Sequence, residues 1–449
     1  MDKKIKILLL VSFFFLCFKI LSIYFTNLSL HGDEAQYWLW SKDLSNGYFS
    51  KPPLLPFLIR FFSLFAGSSV FGIKLLSLFI CLVSSVVVFF LTKKLYNNII
   101  GYVVAITFFL IPGISFASFI VSTDAPLLMF WTLSLYLLVT NFNNPNKLNA
   151  FFLGAFLGLG FLSKYAMIYF FICFFIYLFF ERNFYTHVKK NINLYLLSLL
   201  VFLIFILPNI FWNINNSWLT FNHTMENINF GFSEFRLEKF YSYLLAQVFI
   251  VGPVLLFFTF IYFKKIFSLT KENIFLLSFS IPVLLIVTLE SVLVRAHGNW
   301  AAVAYVSLVI LFASNIYKLA PRALIISNVF NLILGFSFFY LVLISSSFKT
   351  FDQLNGYDNF SNKLLYYADR NNIKNIVIQD RMLFSLVGYH LRDTKNIFYT
   401  TKKPGNPIKH HFQIKQSLPE IFSKNFLYIG NLSNISYLNN SKEELLLEK

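Results

Sequence analysis

The chain has 449 residues, 57% of them hydrophobic and only 13% charged, about half the charged share of an ordinary soluble domain. Sixty phenylalanines and a composition this apolar exclude a water-soluble fold. The formal charge of +17 does not point to nucleic acid, because the basic residues sit in short loops between apolar runs, as one-sided membrane insertion demands.

Lys3, Lys4 and Lys6 precede a first apolar run that continues to about residue 26 without a small-residue cleavage site. It reads as a retained first helix. Segments of membrane-spanning character follow at approximately 71–91, 99–117, 125–140, 149–163, 165–180, 192–211, 241–263, 274–291, 299–316 and 323–345, so about eleven spans are expected. The run 149–180 is read as a hairpin turning at Ser163-Lys164. With a cytoplasmic N-terminus, that choice places fourteen basic residues against three acidic ones on the cytoplasmic side. A single long helix would throw the basic loop 181–190 outward, against the positive-inside rule. Cys17, Cys81 and Cys173 all lie in apolar runs and read as small buried hydrophobes.

After residue 345 the composition changes. The last 104 residues hold 23 of the chain's 57 Asp, Glu, Lys and Arg. Short β-like runs occur at Ile376–Ile378, Ile397–Tyr399 and Phe426–Ile429, with helical stretches near 359–371 and 381–391. The expected architecture is an all-α polytopic membrane domain, residues 1–345, with interfacial helices in a long first outer loop. A small soluble α/β domain, residues 346–449, follows on the outer face.

The outward loops carry the polar chemistry. The first holds His31-Gly32-Asp33-Glu34, then Tyr37-Trp38-Leu39-Trp40, then Tyr48-Phe49-Ser50-Lys51-Pro52-Pro53. Others carry Ser122-Thr123-Asp124-Ala125-Pro126, Ser163-Lys164-Tyr165, His223 with Glu226, and Arg295-Ala296-His297-Gly298-Asn299-Trp300. Charges beside membrane segments are costly and usually face partners or a polar cavity. Carboxylates suit proton abstraction from a hydroxyl, and Lys or Arg suit phosphate oxygens. Each residue also has a plainer role: Asp124 as a helix cap before Ala-Pro, Lys51 and Lys164 as snorkelling anchors, and His223 as a surface histidine. Composition alone leaves a transporter or flippase of lipid-linked sugars open beside an enzyme. No glycine-rich phosphate loop or internal repeat is present.

In this order the motifs resemble the polytopic C-type glycosyltransferases of the protein O-mannosyltransferase superfamily, especially the bacterial branch of lipid A aminoarabinose transferases. The stretch from Asp33-Glu34 to Lys51-Pro52-Pro53 is similar to that family's first outer loop. Ser122–Pro126 is similar to its second acidic motif, Gly158–Ala166 to its lysine motif, and Asn299–Tyr305 is typical of the bacterial branch. The resemblance spans roughly residues 30–310. It implies an inverting transfer from a polyprenyl-phosphate sugar to an acceptor such as lipid A or another envelope glycan. The protein would lie in the bacterial inner membrane with its site on the periplasmic side. By motif, Asp33, with Glu34 beside it, and Asp124 would be catalytic. Lys51, Lys164 and Arg295 would hold the donor phosphate, while Tyr37, Tyr48 and His223 would line the substrate site. His223 stands where some relatives offer a metal-binding histidine. Relatives of the aminoarabinose type carry a glutamate ligand just before the first-loop lysine, where this chain has Ser50. A divalent metal cofactor therefore stays open.

Overall fold

The computed structural model describes residues 3–228, 237–293, 296–345, 351, 354–431 and 444–446. Among these, seven helical segments are long and apolar enough to cross a membrane: Ile5–Phe25, Val70–Leu95, Asp124–Asn143, Ile192–Asn215, Lys271–Leu293, Gly298–Leu319 and Pro321–Leu343. Two pairs, Tyr165–Phe180 with Arg182–Lys190 and Glu238–Val251 with Pro253–Ile261, bend by 110° and 92°. Counting each pair as one span gives nine. Helices Asn98–Leu110 and Lys147–Ser163 are apolar but shorter. All eleven expected segments thus fall on helices, but not all are full-length single spans.

The interruptions have local causes. At 99–117 the helix stops at Leu110 and restarts as Pro112–Ala117, because a proline without an N–H begins a helix more readily than it continues one. Gly252 takes φ +100°, and a Cβ there would collide with the Asn331 side chain. With Pro253 opening the next helix, this position turns the chain sharply. At Glu181 the carboxylate accepts the Asn183 N–H at 3.2 Å. The chain then turns into the basic helix Arg182–Lys190, which buries Phe184 and Val188.

Phe65, Phe179 and Phe260 are 76%, 83% and 78% exposed, a pattern tolerable only where hydrocarbon replaces water. Between the segments Ile5–Phe25 and Val70–Leu95, helix Leu54–Ala66 buries Leu55, Pro56 and Ile59 and exposes Phe61, Leu64 and Phe65. That is the two-faced form expected of an interfacial helix.

The C-terminal region is α/β, as expected. Strands β1 (Asn375–Ile378), β2 (Ile397–Tyr399), β3 (Phe426–Ile429) and β4 (Glu444–Leu446) form a parallel sheet in the order β2-β1-β3-β4. β1 and β3 are buried along their whole length, as central parallel strands are. Helix Arg381–His390 packs on the helix Gly32–Lys42. Tyr389 stands edge-on to Trp38 and donates its hydroxyl hydrogen to the Ser68 carbonyl at 2.9 Å. One hydrophobic core runs from Trp38 and Trp40 through Leu383 and Tyr389, so this region is packed against the helix Gly32–Lys42.

Candidate active site

The first-loop helix is set by its cap. His31 Nδ1 accepts the Asp33 N–H at 3.3 Å, and the His31 N–H donates to Glu34 at 2.7 Å. This capping arrangement sends the adjacent carboxylates in different directions. Glu34 turns inward, where Lys74 Nζ meets its two oxygens at 3.0 and 2.9 Å and the Val121 N–H donates to it at 2.8 Å. The Glu34 and Lys74 side chains are only 1% and 2% exposed. Lys74 also contacts the Phe119 carbonyl at 3.4 Å and lies over the Phe119 ring. The first and second acidic loops are thereby tied together behind the site.

Asp33 faces the cavity. It accepts a hydrogen bond from Arg381 at 3.2 Å, and Arg381 also donates to Gln36 at 2.9 Å. Arg381 opens a helix capped by Asp380, which accepts the Leu383 N–H at 2.8 Å. Asp124 opens helix Asp124–Asn143. Its oxygens accept from Lys164 and Asn299, both at 2.7 Å. Lys164 is the extended residue between helix Lys147–Ser163 and the turn Tyr165–Ile168, a break that frees its side chain to reach Asp124.

These groups surround a polar cavity of about 620 Å³, also lined by Lys51, Tyr37 and His223. Burial and the nearby Lys164 charge lower the Lys51 pKa, with Asp124 and Asp33 acting in the opposite sense. The Tyr37 hydroxyl pKa is raised, chiefly by burial and then by Asp33 and Asp124. Two largely apolar chambers adjoin the polar cavity. One, of about 630 Å³, is walled by residues such as Phe108, Phe249 and Phe338, and shares Asp124, His297 and Asn299 with it. The other, of about 390 Å³, runs past Tyr165, Phe221 and Met225, and shares Lys51, Lys164 and His223.

Of the residues singled out in the sequence, Asp33, Tyr37, Lys51, Asp124, Lys164 and His223 meet at this cavity. Glu34 borders it, but its carboxylate is consumed by the Lys74 pair and two backbone N–H groups. Tyr48 is not a lining residue, contrary to expectation. It is fully buried, stacks on Trp40 at 4.4 Å, and donates its hydroxyl hydrogen to the Trp40 carbonyl at 3.1 Å. A large ring with a satisfied hydroxyl belongs to the core. Arg295 lies outside the described residues. Among the described residues no group of three or more His, Cys, Asp and Glu side chains could hold a metal ion.

The sequence reading missed Lys74, Arg381, Lys409, His410 and His411. Lys74 did carry a signal, as a lone charge within an apolar run. The others lie in the C-terminal region, where nothing in the local sequence marks them. Burial above all lowers the pKa of His410 and His411 to about 4, with Arg381 the next cause for His410 and Lys415 for His411.

The profile of the dolichyl-phosphate-mannose-protein mannosyltransferase family matches residues 50–212. The chain is 26% identical to the lipid A galacturonosyltransferase RgtD of Rhizobium johnstonii over 436 residues, 94% of this chain and 90% of that protein. Its fold is similar to that of ArnT from Cupriavidus metallidurans in the apo state, with a TM-score of 0.67, 12% identity, and 93% and 90% of the two chains covered. The undecaprenyl phosphate-bound form of that protein gives 0.66, again at 12% identity, covering 88% and 86%. Fold, motifs and these likenesses are those of the multispanning membrane glycosyltransferases of the C-type fold. Within that class the chain resembles the lipid A-modifying transferases.

Proposed function

We propose that the protein moves a sugar from a polyprenyl-phosphate donor to a lipid acceptor of the lipid A class, at the periplasmic face of a bacterial inner membrane. In this reading residues 1–345 are the transmembrane transferase domain and residues 346–449 an extracytoplasmic α/β domain that closes the site. The observation that carries it is one charged cavity flanked by two apolar chambers that share its polar residues. A transferase joining two lipid-borne substrates needs that arrangement, with one chamber for each hydrocarbon part.

Lys51 binds the donor phosphate. Lys164, held by Asp124, adds positive charge where the leaving phosphate gains negative charge. Arg295 is a third candidate for the same phosphate. Asp33 accepts the proton of the attacking acceptor hydroxyl once Arg381 yields to substrate. The acceptor oxygen forms the new bond to the anomeric carbon on the face opposite the departing oxygen. The bond from that carbon to the phosphate oxygen breaks, its electron pair leaves with polyprenyl phosphate, and the configuration inverts. Asp124 orients Lys164 and Asn299, Glu34 holds the loop, and Tyr37 and His223 line the sugar. No step requires a nucleotide. The likenesses are to transferases rather than flippases, and a covalent product separates the two. Full-length protein in vesicles, given a polyprenyl-phosphate sugar and lipid A, should yield lipid A heavier by one glycosyl unit. Translocation of the donor without that product would refute the transferase reading.

A further inference from the structure

The charged side chains of the polar cavity do not balance. Asp124 is paired with Lys164, Asp33 with Arg381, and Glu34 with Lys74. Two lining cations, Lys51 and Lys409, have no carboxylate partner among the described residues. A donor phosphate answers Lys51. Lys409 enters from the C-terminal region and is left over. It is followed directly by His410 and His411, 7% and 8% exposed, which also line the cavity. The Nδ1 of each imidazole is fully buried with no hydrogen-bonding partner among the described residues, so only Nε2 is left to meet a group in the cavity.

The segment is firmly held. The Lys409 N–H donates to Gln413 at 2.7 Å, and Gln413 in turn donates to the Thr401 carbonyl at 2.8 Å. His411 packs against the Trp40 and Tyr48 rings at 5.3 and 4.8 Å. An ammonium followed by two imidazoles, all lining one wall of the cavity and without a carboxylate partner among the described residues, is suited to an anionic oxygen group.

We propose that Lys409, His410 and His411 form a second anion subsite, separate from the donor-phosphate site at Lys51, for a carboxylate or phosphate carried by the transferred sugar or by the acceptor. This rests on the transferase reading, which supplies the two substrates. Lys409 provides the charge, and the imidazoles donate or accept hydrogen bonds according to tautomer. The subsite makes the C-terminal region a determinant of specificity.

Binding to the full-length protein in nanodiscs tests this with two matched pairs. The first pair is a polyprenyl-phosphate hexuronate against the corresponding hexose. The second is bisphosphorylated lipid A against its dephosphorylated form. The wild-type protein should prefer the anionic member of one pair by about tenfold or more, and the pair that shows the preference identifies the source of the anion. Lys409→Gln, an exposed position, should remove most of that preference while leaving the affinity for bare polyprenyl phosphate unchanged. His410→Gln should reduce it further. Equal affinity within both wild-type pairs would overturn the proposal, as would a preference that survives both substitutions. Failure of the wild-type protein to bind bare polyprenyl phosphate would instead count against the transferase reading, and the lipid A pair would still decide the subsite.

Discussion

Replacing Lys74 by methionine tests how the site is held in place. The substitution keeps most of the aliphatic stem and removes the ammonium that meets both Glu34 oxygens. Glu34, at 1% side-chain exposure, would then keep only the N–H groups of His31 and Val121. Breaking a buried pair by removing one partner costs about 3–5 kcal/mol, less whatever Glu34 recovers by taking up a proton. Glu34→Met leaves the opposite orphan, a buried ammonium with the Phe119 carbonyl and ring, and should cost a similar amount. The double variant, apolar on both sides, strands the two N–H donors at about 1–3 kcal/mol each but no buried charge. Its cost should therefore fall below the sum of the single variants by roughly 2 kcal/mol or more. Denaturant unfolding of the four proteins in mixed micelles measures this coupling. Val121 is three residues from Asp124, so sugar transfer should drop in both single variants even where they remain folded. Additive unfolding costs together with wild-type transfer in Lys74→Met would show that the pair does not position the site.

Asp33→Asn and Asp124→Asn should each abolish transfer at near-normal abundance; wild-type rates in both would refute the assigned roles. Lys51→Met and Lys164→Met should each weaken donor binding at least tenfold, about 1.4 kcal/mol or more, measured against the sugar lipid lacking its phosphate. Unchanged affinity in both would make them membrane anchors and turn attention to Arg295. A periplasm-dependent reporter fused after Leu427 should be active, and activity of a cytoplasm-dependent reporter there would reverse the topology. His410 and His411 have folded pKa values of about 4, below about 6.5 for an unfolded histidine. Their contribution to stability is full above pH 6.5 and is lost as pH falls towards 4, on the order of 3 kcal/mol per imidazole. Exchanging both for glutamine should flatten the melting temperature between those pH values, and an unchanged slope would contradict their burial as neutral rings.

Much of the site was legible because its motifs are short and local. Asp33, Lys51, Asp124 and Lys164 each sit beside a turn or helix start next to apolar sequence, where a charge stands out. Tyr48 was misplaced because an aromatic residue in a loop looks the same in sequence whether it lines a cavity or fills a core; its stack on Trp40 decides. Glu34 and Asp33 are neighbours with the same chemistry, and only the helix cap and the distant Lys74 divide them. Arg381 and the segment Lys409–His411 gave no local sign, since they reach the cavity across more than 300 residues of chain.

The sequence by itself determined the membrane character, the helical segments, the α/β composition of the C-terminal region and the motifs of a C-type transferase. Apolar run length, charge asymmetry and local spacing depend only on neighbours along the chain. The tertiary structure alone decided which spans break, which of the two adjacent carboxylates faces the cavity, and how the C-terminal region walls it. Those outcomes depend on pairings between residues tens to hundreds of positions apart, such as Glu34 with Lys74, Asp124 with Lys164 and Asp33 with Arg381. The energy of a charge brought out of water is settled by the partner that folding places beside it.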